Sequence, residues 1–309
     1  MGDEPKRHHY LPKFYLKGFT KDDKLWIYDR QRNEFRAQTP INTAIEKDYY
    51  SFIDKNGKKN TSVEKILSDV EGRVIPVITD IKNEKRISNE GKGIMSLFLS
   101  FFIYRVPEYE KLSNEIAKTI SDLTIKNLIF SKEQAKKFIK KYESDTGKSL
   151  NVSPEIIYEY AQNAQFEIIL DRNTTLKQML DFSMNNKDWL FNLNWVVLQA
   201  PEITSFITSD NPFVLLPPMG FPIGIRGYGL KTKGVTMIIP LSKEQCITIG
   251  APGNSFSYIN IKRKTVRDIN LYVASRCDRF VIARDEELLK SIVKKTKINK
   301  WKKIKRLNI

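Results

Sequence analysis

The sequence predicts an α+β protein: a mixed or antiparallel sheet core drawn from an N-terminal hairpin and the C-terminal third, with a mainly helical middle. Three observations predict it. Residues 24–38 read as two short strands around a polar turn, helical spacing runs from Thr61 to about residue 190, and from Asn194 short β-rich runs alternate with Gly and Pro. The 309 residues are read as one α+β domain, 1–309, with 61–190 as a helical insertion or subdomain and 290–309 as a basic amphipathic C-terminal helix.

In the hairpin, Trp26 and Tyr28 alternate with Leu25 and Ile27 before a turn at Arg30 to Asn33. After Thr61-Ser62, a capping signal, Val63, Ile66, Leu67, Val70 and Val74 recur at helical spacing towards Ile81, with a kink expected at Pro76. A second helical tract covers Asn89 to about Ile129 and bends near Pro107. Ser131 starts another that ends near Gly147, and Ser153-Pro154-Glu155 opens a further long one. Strands are expected at Trp195–Leu198, Phe206–Thr208, Phe213–Leu216, Thr236–Ile239 and Cys246–Ile249. Pro217 to Gly234, with five glycines, is a long loop of the kind that often carries function. Arg263 to Arg276 reads as a helix, Phe280 to Ala283 as a strand, and Asp285 as the opening of the terminal helix.

With 41% hydrophobic and 28% charged residues, 14 Gly and 13 Pro, composition excludes collagen-like, mucin-like and wholly disordered chains. Ile94 to Tyr104 is the strongest apolar run; at 11 residues, broken by Ser96 and Ser100, it reads as a buried helix and no membrane span is expected. The opening MGDEPKRHHY lacks an apolar signal core, and Cys246 and Cys277 form no metal-type spacing, so a reduced, cytoplasmic setting is expected. The charge is less ordinary: 52 Lys plus Arg against 36 Asp plus Glu leaves +16, which will attract polyanions.

Both histidines are adjacent, His8 and His9, so proton transfer near neutral pH points to them. In an extended segment only one of them faces a given pocket, and the other is structural. Tyr10, Phe14, Tyr15, Leu16 and Phe19 are too apolar for a loose tail and should pack the segment onto the core. Glu64 and Glu71 lie seven apart on one helical face, where Arg105 is the obvious partner for a carboxylate or a clamp for a phosphate. Asp210, in the turn Ser209-Asp210-Asn211-Pro212, has two readings: it bonds local backbone, or it orients an imidazole or holds a divalent cation such as Mg or Mn. The last twenty residues hold nine Lys or Arg and no acid, with Ile298, Trp301, Ile304 and Leu307 spaced as an apolar stripe. Core docking, nucleic-acid binding and an anionic membrane surface all remain open for that tail. No phosphate loop, serine-hydrolase elbow or His-Glu-x-x-His motif occurs.

His8 to Phe19 (HHYLPKFYLKGF), followed by the strand Leu25 to Asp29, resembles the opening of the bacterial family catalogued as domain of unknown function 4238. Glu64 and Glu71, the Arg-x-Pro at Arg105 to Pro107, the Ser-Asp-Asn-Pro at Ser209 to Pro212, and Asn270 are similar to further segments of that family, although the family often has Gln before the Arg. The resemblance spans nearly the whole chain and implies a shared fold, with bacterial defence against phage as an associated role.

The expected function is a nucleic-acid-processing enzyme, a nuclease acting on RNA or DNA, with a toxic effector role in phage defence. Its expected catalytic set is His8, His9, Asp210, Glu71 and Arg105; Tyr10, Asn211, Arg226, Lys231, Lys233, Lys300, Lys302 and Lys303 are expected to hold the substrate. The alternatives are a non-enzymatic nucleic-acid-binding or phage-sensing module, with a protein partner or phage trigger, and a nucleotide or small-molecule hydrolase.

Overall fold

A computed structural model describes residues 7–163, 167–218, 220–221 and 228–298. The substrate contacts expected at Arg226, Lys300, Lys302 and Lys303 lie outside these residues, as do Trp301, Ile304 and Leu307 of the stripe expected on the tail. In chain order the elements are β1 (Arg7–His9), α1 (Lys13–Lys17), β2 (Leu25–Asp29), β3 (Glu34–Gln38), β4 (Ile45–Lys47), β5 (Phe52–Ile53), β6 (Lys59–Asn60), α2 (Ser62–Lys82) and α3 (Asn89–Tyr104). Helices α4 (Pro107–Leu128), α5 (Lys132–Thr146), α6 (Pro154–Asn163) and α7 (Arg172–Phe191) follow. The remainder is β7 (Leu193–Gln199), β8 (Thr208–Ser209), β9 (Val214–Leu216), β10 (Thr236–Pro240), β11 (Gln245–Pro252), β12 (Phe256–Asn260), α8 (Arg263–Ser275), β13 (Phe280–Ala283) and α9 (Glu286–Ile298). This is an α+β protein with its helical residues in the middle and its sheets towards the two ends.

The chain divides into two compact units, one of residues 1–108 with 176–309 and one of residues 109–175. In the first, a five-stranded sheet has the order β12-β7-β11-β10-β9. Its strands are antiparallel except β12, which runs parallel to β7 with Phe256 opposite Trp195. A four-stranded sheet of order β3-β2-β13-β8 joins the N-terminal hairpin to the C-terminal third, with Ile282 of β13 opposite Ile27 of β2. The hairpin thus supplies half of a sheet completed about 250 residues later, which gives the long-range pairing its place in the core. Phe206, Ile238, Cys246, Ile269, Val273 and Val281 are buried in one cluster there, and burial pushes both cysteine thiols far above their ordinary range.

Helix α3 is the buried helix expected from its apolar run. Phe98, Leu99, Phe101 and Phe102 are all buried, and its two serines cost little because Ser96 Oγ donates to the Lys92 carbonyl at 2.8 Å and Ser100 Oγ to the Ser183 carbonyl at 2.7 Å. Helix α2 continues through Pro76 to Lys82. In the second unit, α5 begins at Ser131, whose hydroxyl accepts from the Gln134 N–H, and ends at Gly147 with φ of 66°. The single long helix expected after Ser153 is corrected to two, α6 and α7. The reason is Asp171, whose carboxylate accepts from the Thr174 N–H at 3.0 Å and hydroxyl at 2.6 Å and so starts a new helix.

His8 and His9 lie in the extended strand β1, and the segment after them folds into the short helix α1. Gly18 ends that helix for a spatial reason: a Cβ there would meet the Leu241 carbonyl oxygen at 3.0 Å and the Ser242 Cα at 3.3 Å. The absent side chain lets the Gly18 carbonyl accept from the Lys243 N–H at 2.8 Å. Tyr15, one turn earlier, shares its hydroxyl with Thr208 Oγ1 at 2.6 Å and donates to the Pro240 carbonyl at 2.9 Å. The aromatic opening is therefore bolted to both sheets by buried polar contacts.

Candidate functional site

Strand β1 pairs antiparallel with β4, placing His8 opposite Glu46 and His9 opposite Ile45. Successive strand residues point to opposite faces, and the two imidazoles accordingly have different surroundings. His8 is buried and stacked on Tyr50 with ring centroids 5.7 Å apart. Its Nδ1 accepts from the Tyr50 N–H at 2.9 Å, and its Nε2 lies 3.2 Å from Glu64 Oε2. A nitrogen that accepts carries no proton, so neutral His8 is protonated on Nε2, towards that carboxylate. This imidazole is fixed through Nδ1 and by its stacking on Tyr50.

His9 differs. It is half-buried, and its Nε2 is shielded from solvent with no hydrogen-bond partner among the described residues. Burial lowers its pKa below the usual 6.5, while the backbone carbonyls of Ile41 and Pro40 and the charge of Glu71 act in the opposite direction. If the proton of the neutral ring sits on Nδ1, Nε2 presents a lone pair.

The main-chain oxygen of His9 is fixed by Arg105, whose Nη2 donates to it at 2.9 Å. Arg105 caps α3 and is buried; its Nη1 donates to Glu71 Oε1 at 2.6 Å and its Nε to Tyr50 Oη at 3.0 Å. Burial alone disfavours its charge, but Tyr50 and Glu71 outweigh that and raise its pKa. Glu64 and Glu71, two turns apart on α2, thus reach the two histidines from one helical face, Glu64 directly and Glu71 through Arg105. Arg105 is buried, with Nε, Nη1 and Nη2 each bonded inside the protein, so the expectation that it clamps the scissile phosphate gives way to a positioning role.

Asp210 belongs to a second knot. Its Oδ1 accepts from the Asp278 N–H at 3.0 Å, and its Oδ2 from the N–H groups of Arg279 and Phe280 at 2.6 and 2.9 Å. The carboxylate anchors the turn before β13, and the contact with an imidazole expected for it is not made among the described residues. Burial pushes its pKa up to about 7, against those three N–H groups. Asn211 donates through Nδ2 to the Arg276 carbonyl at 3.2 Å, and Asn270 bonds the Ile207 N–H at 3.0 Å and the Ser205 carbonyl at 2.8 Å. These asparagines brace the loops around β8.

Sequence reasoning missed the strongest ion pair of this knot. Asp29, fully buried at the end of β2, takes Arg279 Nη2 on Oδ2 at 2.8 Å and Nε at 3.1 Å, and Arg36 adds a contact at 3.4 Å. Burial opposes its ionisation, and Arg279 and the Arg32 N–H more than compensate, holding its pKa below the ordinary carboxylate value. The final Asp of Leu-Trp-Ile-Tyr-Asp was the available signal. Tyr10 connects the knots electrostatically: burial first, then the Asp210 charge, pushes its hydroxyl well above 10. Lys233 is exposed, while Lys231 lies over the Trp189 ring at 5.9 Å. Among the described residues, no group of three or more His, Cys, Asp or Glu is placed to hold a metal ion, and no helix is long and apolar enough to cross a membrane.

The residues so assembled, from β1 and α1 through Arg105 and the Ser-Asp-Asn-Pro turn to Asn270, lie within residues 7–287, which match the model of the family described as Protein of unknown function (DUF4238). The chain belongs to the DUF4238 family. The match covers both knots and both sheets, in keeping with a resemblance that spans nearly the whole chain. No curated protein and no solved structure matches the chain at a significant level.

Proposed function

We propose that this DUF4238 protein is a nucleic-acid-processing enzyme in which Nε2 of His9 accepts the proton. The observation that carries the reading is that nitrogen: unpartnered among the described residues and on a ring whose lowered pKa leaves it unprotonated at neutral pH; it is closed to solvent in this structure, so the step requires the residues over it to move aside and admit the attacking hydroxyl. In the proposed step, Nε2 takes a proton from water or a ribose hydroxyl, the oxygen attacks phosphorus, and the leaving oxygen is protonated from solvent. The charge of Glu71 favours the imidazolium that forms. Arg105 and Glu71 act by positioning β1, and His8 and Asp210 by holding the frame. The +16 net charge supplies attraction to a phosphate backbone, with Lys233 and Lys231 as described contacts and Arg226, Lys300, Lys302 and Lys303 as further ones. A Mg²⁺ or Mn²⁺ requirement fits an ion carried by the substrate phosphates.

The test is incubation of labelled RNA and DNA with the full chain and with His9→Ala, with and without Mg²⁺ or Mn²⁺. Cleavage by the parent and none by His9→Ala is expected; intact substrate under every condition removes the enzymatic reading. A toxic role in phage defence, in the cytoplasm, is part of this proposal and predicts that growth arrest on expression is relieved by the same variant.

A second reading, a nucleic-acid-binding or phage-sensing module without catalysis, is favoured by the internal satisfaction of Arg105 and Asp210, which leaves much of the motif set as scaffold. It predicts binding that weakens steeply with salt while the nucleic acid stays intact.

A further inference from the structure

Arg263, Val266, Arg267 and Asn270 repeat at i, i+3, i+4 and i+7 along α8 and line a cavity of about 340 Å³. Leu288 and Ile292 of α9 face them across it, and Ile203 to Ser205 close one side. A seam between two amphipathic helices is ordinarily filled with apolar side chains. Here Val266 and Ile292 are buried and form an apolar floor, while Arg263 and Arg267 are exposed at the rim.

The charges around the cavity do not cancel. Arg284 Nε donates to Asp285 Oδ2 at 2.9 Å, and Asp285 Oδ1 accepts from the Leu288 N–H at 2.8 Å, so this pair is committed to starting α9. Arg263 and Arg267 have no acidic partner among the described residues, and the first turn of α8 holds no acid. With Glu287 counted as well, three guanidiniums face two carboxylates. Asn270 is spent on the Ile207 and Ser205 main chains and fixes the wall. The volume lies at the small end of the range for small-molecule sites.

We propose that this cleft binds a phosphate monoester, with Arg263 and Arg267 closing on the phosphate and Val266, Leu288 and Ile292 packing against the group it esterifies. Two planar guanidiniums one helical turn apart match the oxygens of a phosphate in a way that ammonium groups do not. A free mononucleotide and the 5′-phosphate end of a nucleic-acid strand present the same chemistry. The assignment uses none of the residues around His9 and stands apart from the proposed catalytic step.

Calorimetric titration of the full chain with AMP, adenosine, and 5′-phosphorylated and 5′-hydroxyl oligonucleotides tests it, alongside an Arg263→Gln/Arg267→Gln variant at exposed positions whose folding is verified by its melting curve. AMP is expected to bind at least about tenfold more tightly than adenosine and to lose at least about tenfold in the double variant. It should bind His9→Ala as it binds the parent, which separates this site from the catalytic proposal. A preference for the 5′-phosphorylated over the 5′-hydroxyl strand identifies a strand end as the source of the phosphate; AMP binding without that preference identifies a free mononucleotide. Equal affinity for AMP and adenosine, unchanged AMP affinity in the double variant, or no binding of AMP at millimolar concentration overturns the assignment.

Discussion

Nη1 of Arg105 lies 2.6 Å from Oε1 of Glu71, and the same guanidinium holds the carbonyl oxygen of His9 at 2.9 Å. One buried cation therefore ties helix α2, the end of α3 and strand β1 into a single arrangement. Arg105→Met would strand the Glu71 carboxylate and leave the His9 carbonyl without its donor. Breaking a buried pair of this kind costs about 3 kcal/mol or more, the low end of the usual range because Glu71 keeps some solvent contact. Urea denaturation should show the loss, and an unchanged midpoint would refute the tie. Arg105→Lys should recover only part of it, since one ammonium cannot reach three acceptors set in a plane.

His9 has a signature in its pH dependence. Its folded pKa lies below the unfolded value of 6.5, so the folded protein resists protonation. The stability that the neutral ring contributes is complete above pH 6.5 and is lost as pH falls through the unfolded and then the folded value. Any cleavage activity should likewise retain its acid limb below pH 6.5. A cleavage profile whose acid limb has its midpoint above that value would exclude His9 as the proton acceptor.

Asp210 runs the other way. Its pKa rises from 3.8 unfolded to about 7 folded, so the folded chain binds the extra proton between those values and stability declines as pH climbs through that window. Asp210→Asn removes the titration and should flatten this slope. It also turns an amide N–H₂ towards the 278–280 main chain, at a cost of about 1–3 kcal/mol. Melting temperatures of parent and variant from pH 4 to 8 make the comparison; parallel curves would contradict the assignment.

Tyr15→Phe keeps the ring and deletes the hydroxyl that joins Thr208 and the Pro240 carbonyl. Leaving those buried groups short of a partner is expected to cost about 1–3 kcal/mol, measured by denaturant unfolding. Because the hydroxyl spans two sheets, amide exchange should quicken in β8 and β10 together.

Much of this fold is legible in the residues. The hairpin, the buried helix α3, the capped helices and the strands at Trp195, Val214, Thr236, Gln245 and Phe280 follow from period and capping chemistry, as does the shared face of Glu64 and Glu71, whereas β12 is not among the expected strands and β8 lies at Thr208–Ser209 and not at the expected Phe206–Thr208. Strands β1, β4, β5 and β6 are two or three residues long, too short for a period to emerge, and β1 finds its partner β4 only about forty residues on. The break before α7 was hidden because an Asp inside a helical pattern reads as surface until its capping bonds are known. At the candidate site, residue types could nominate His8, His9, Arg105 and Asp210, but not which of them spend their polar atoms internally. That distinction rests on Tyr50 and on the main chain of residues 278–280, neither of which carries a motif.

The bolting of Tyr15 to Pro240, and of the Gly18 carbonyl to Lys243, sets an order on biosynthesis. As the chain leaves the ribosome, the opening can pair with β4 and pack its rings on α3 early, but the polar seat of Tyr15 and of the Gly18 carbonyl is not made until more than two hundred further residues have followed, and during that interval these groups lack their partners. The amides of α1 should therefore gain their full protection during translation only once β10 and the turn at Lys243 have been made.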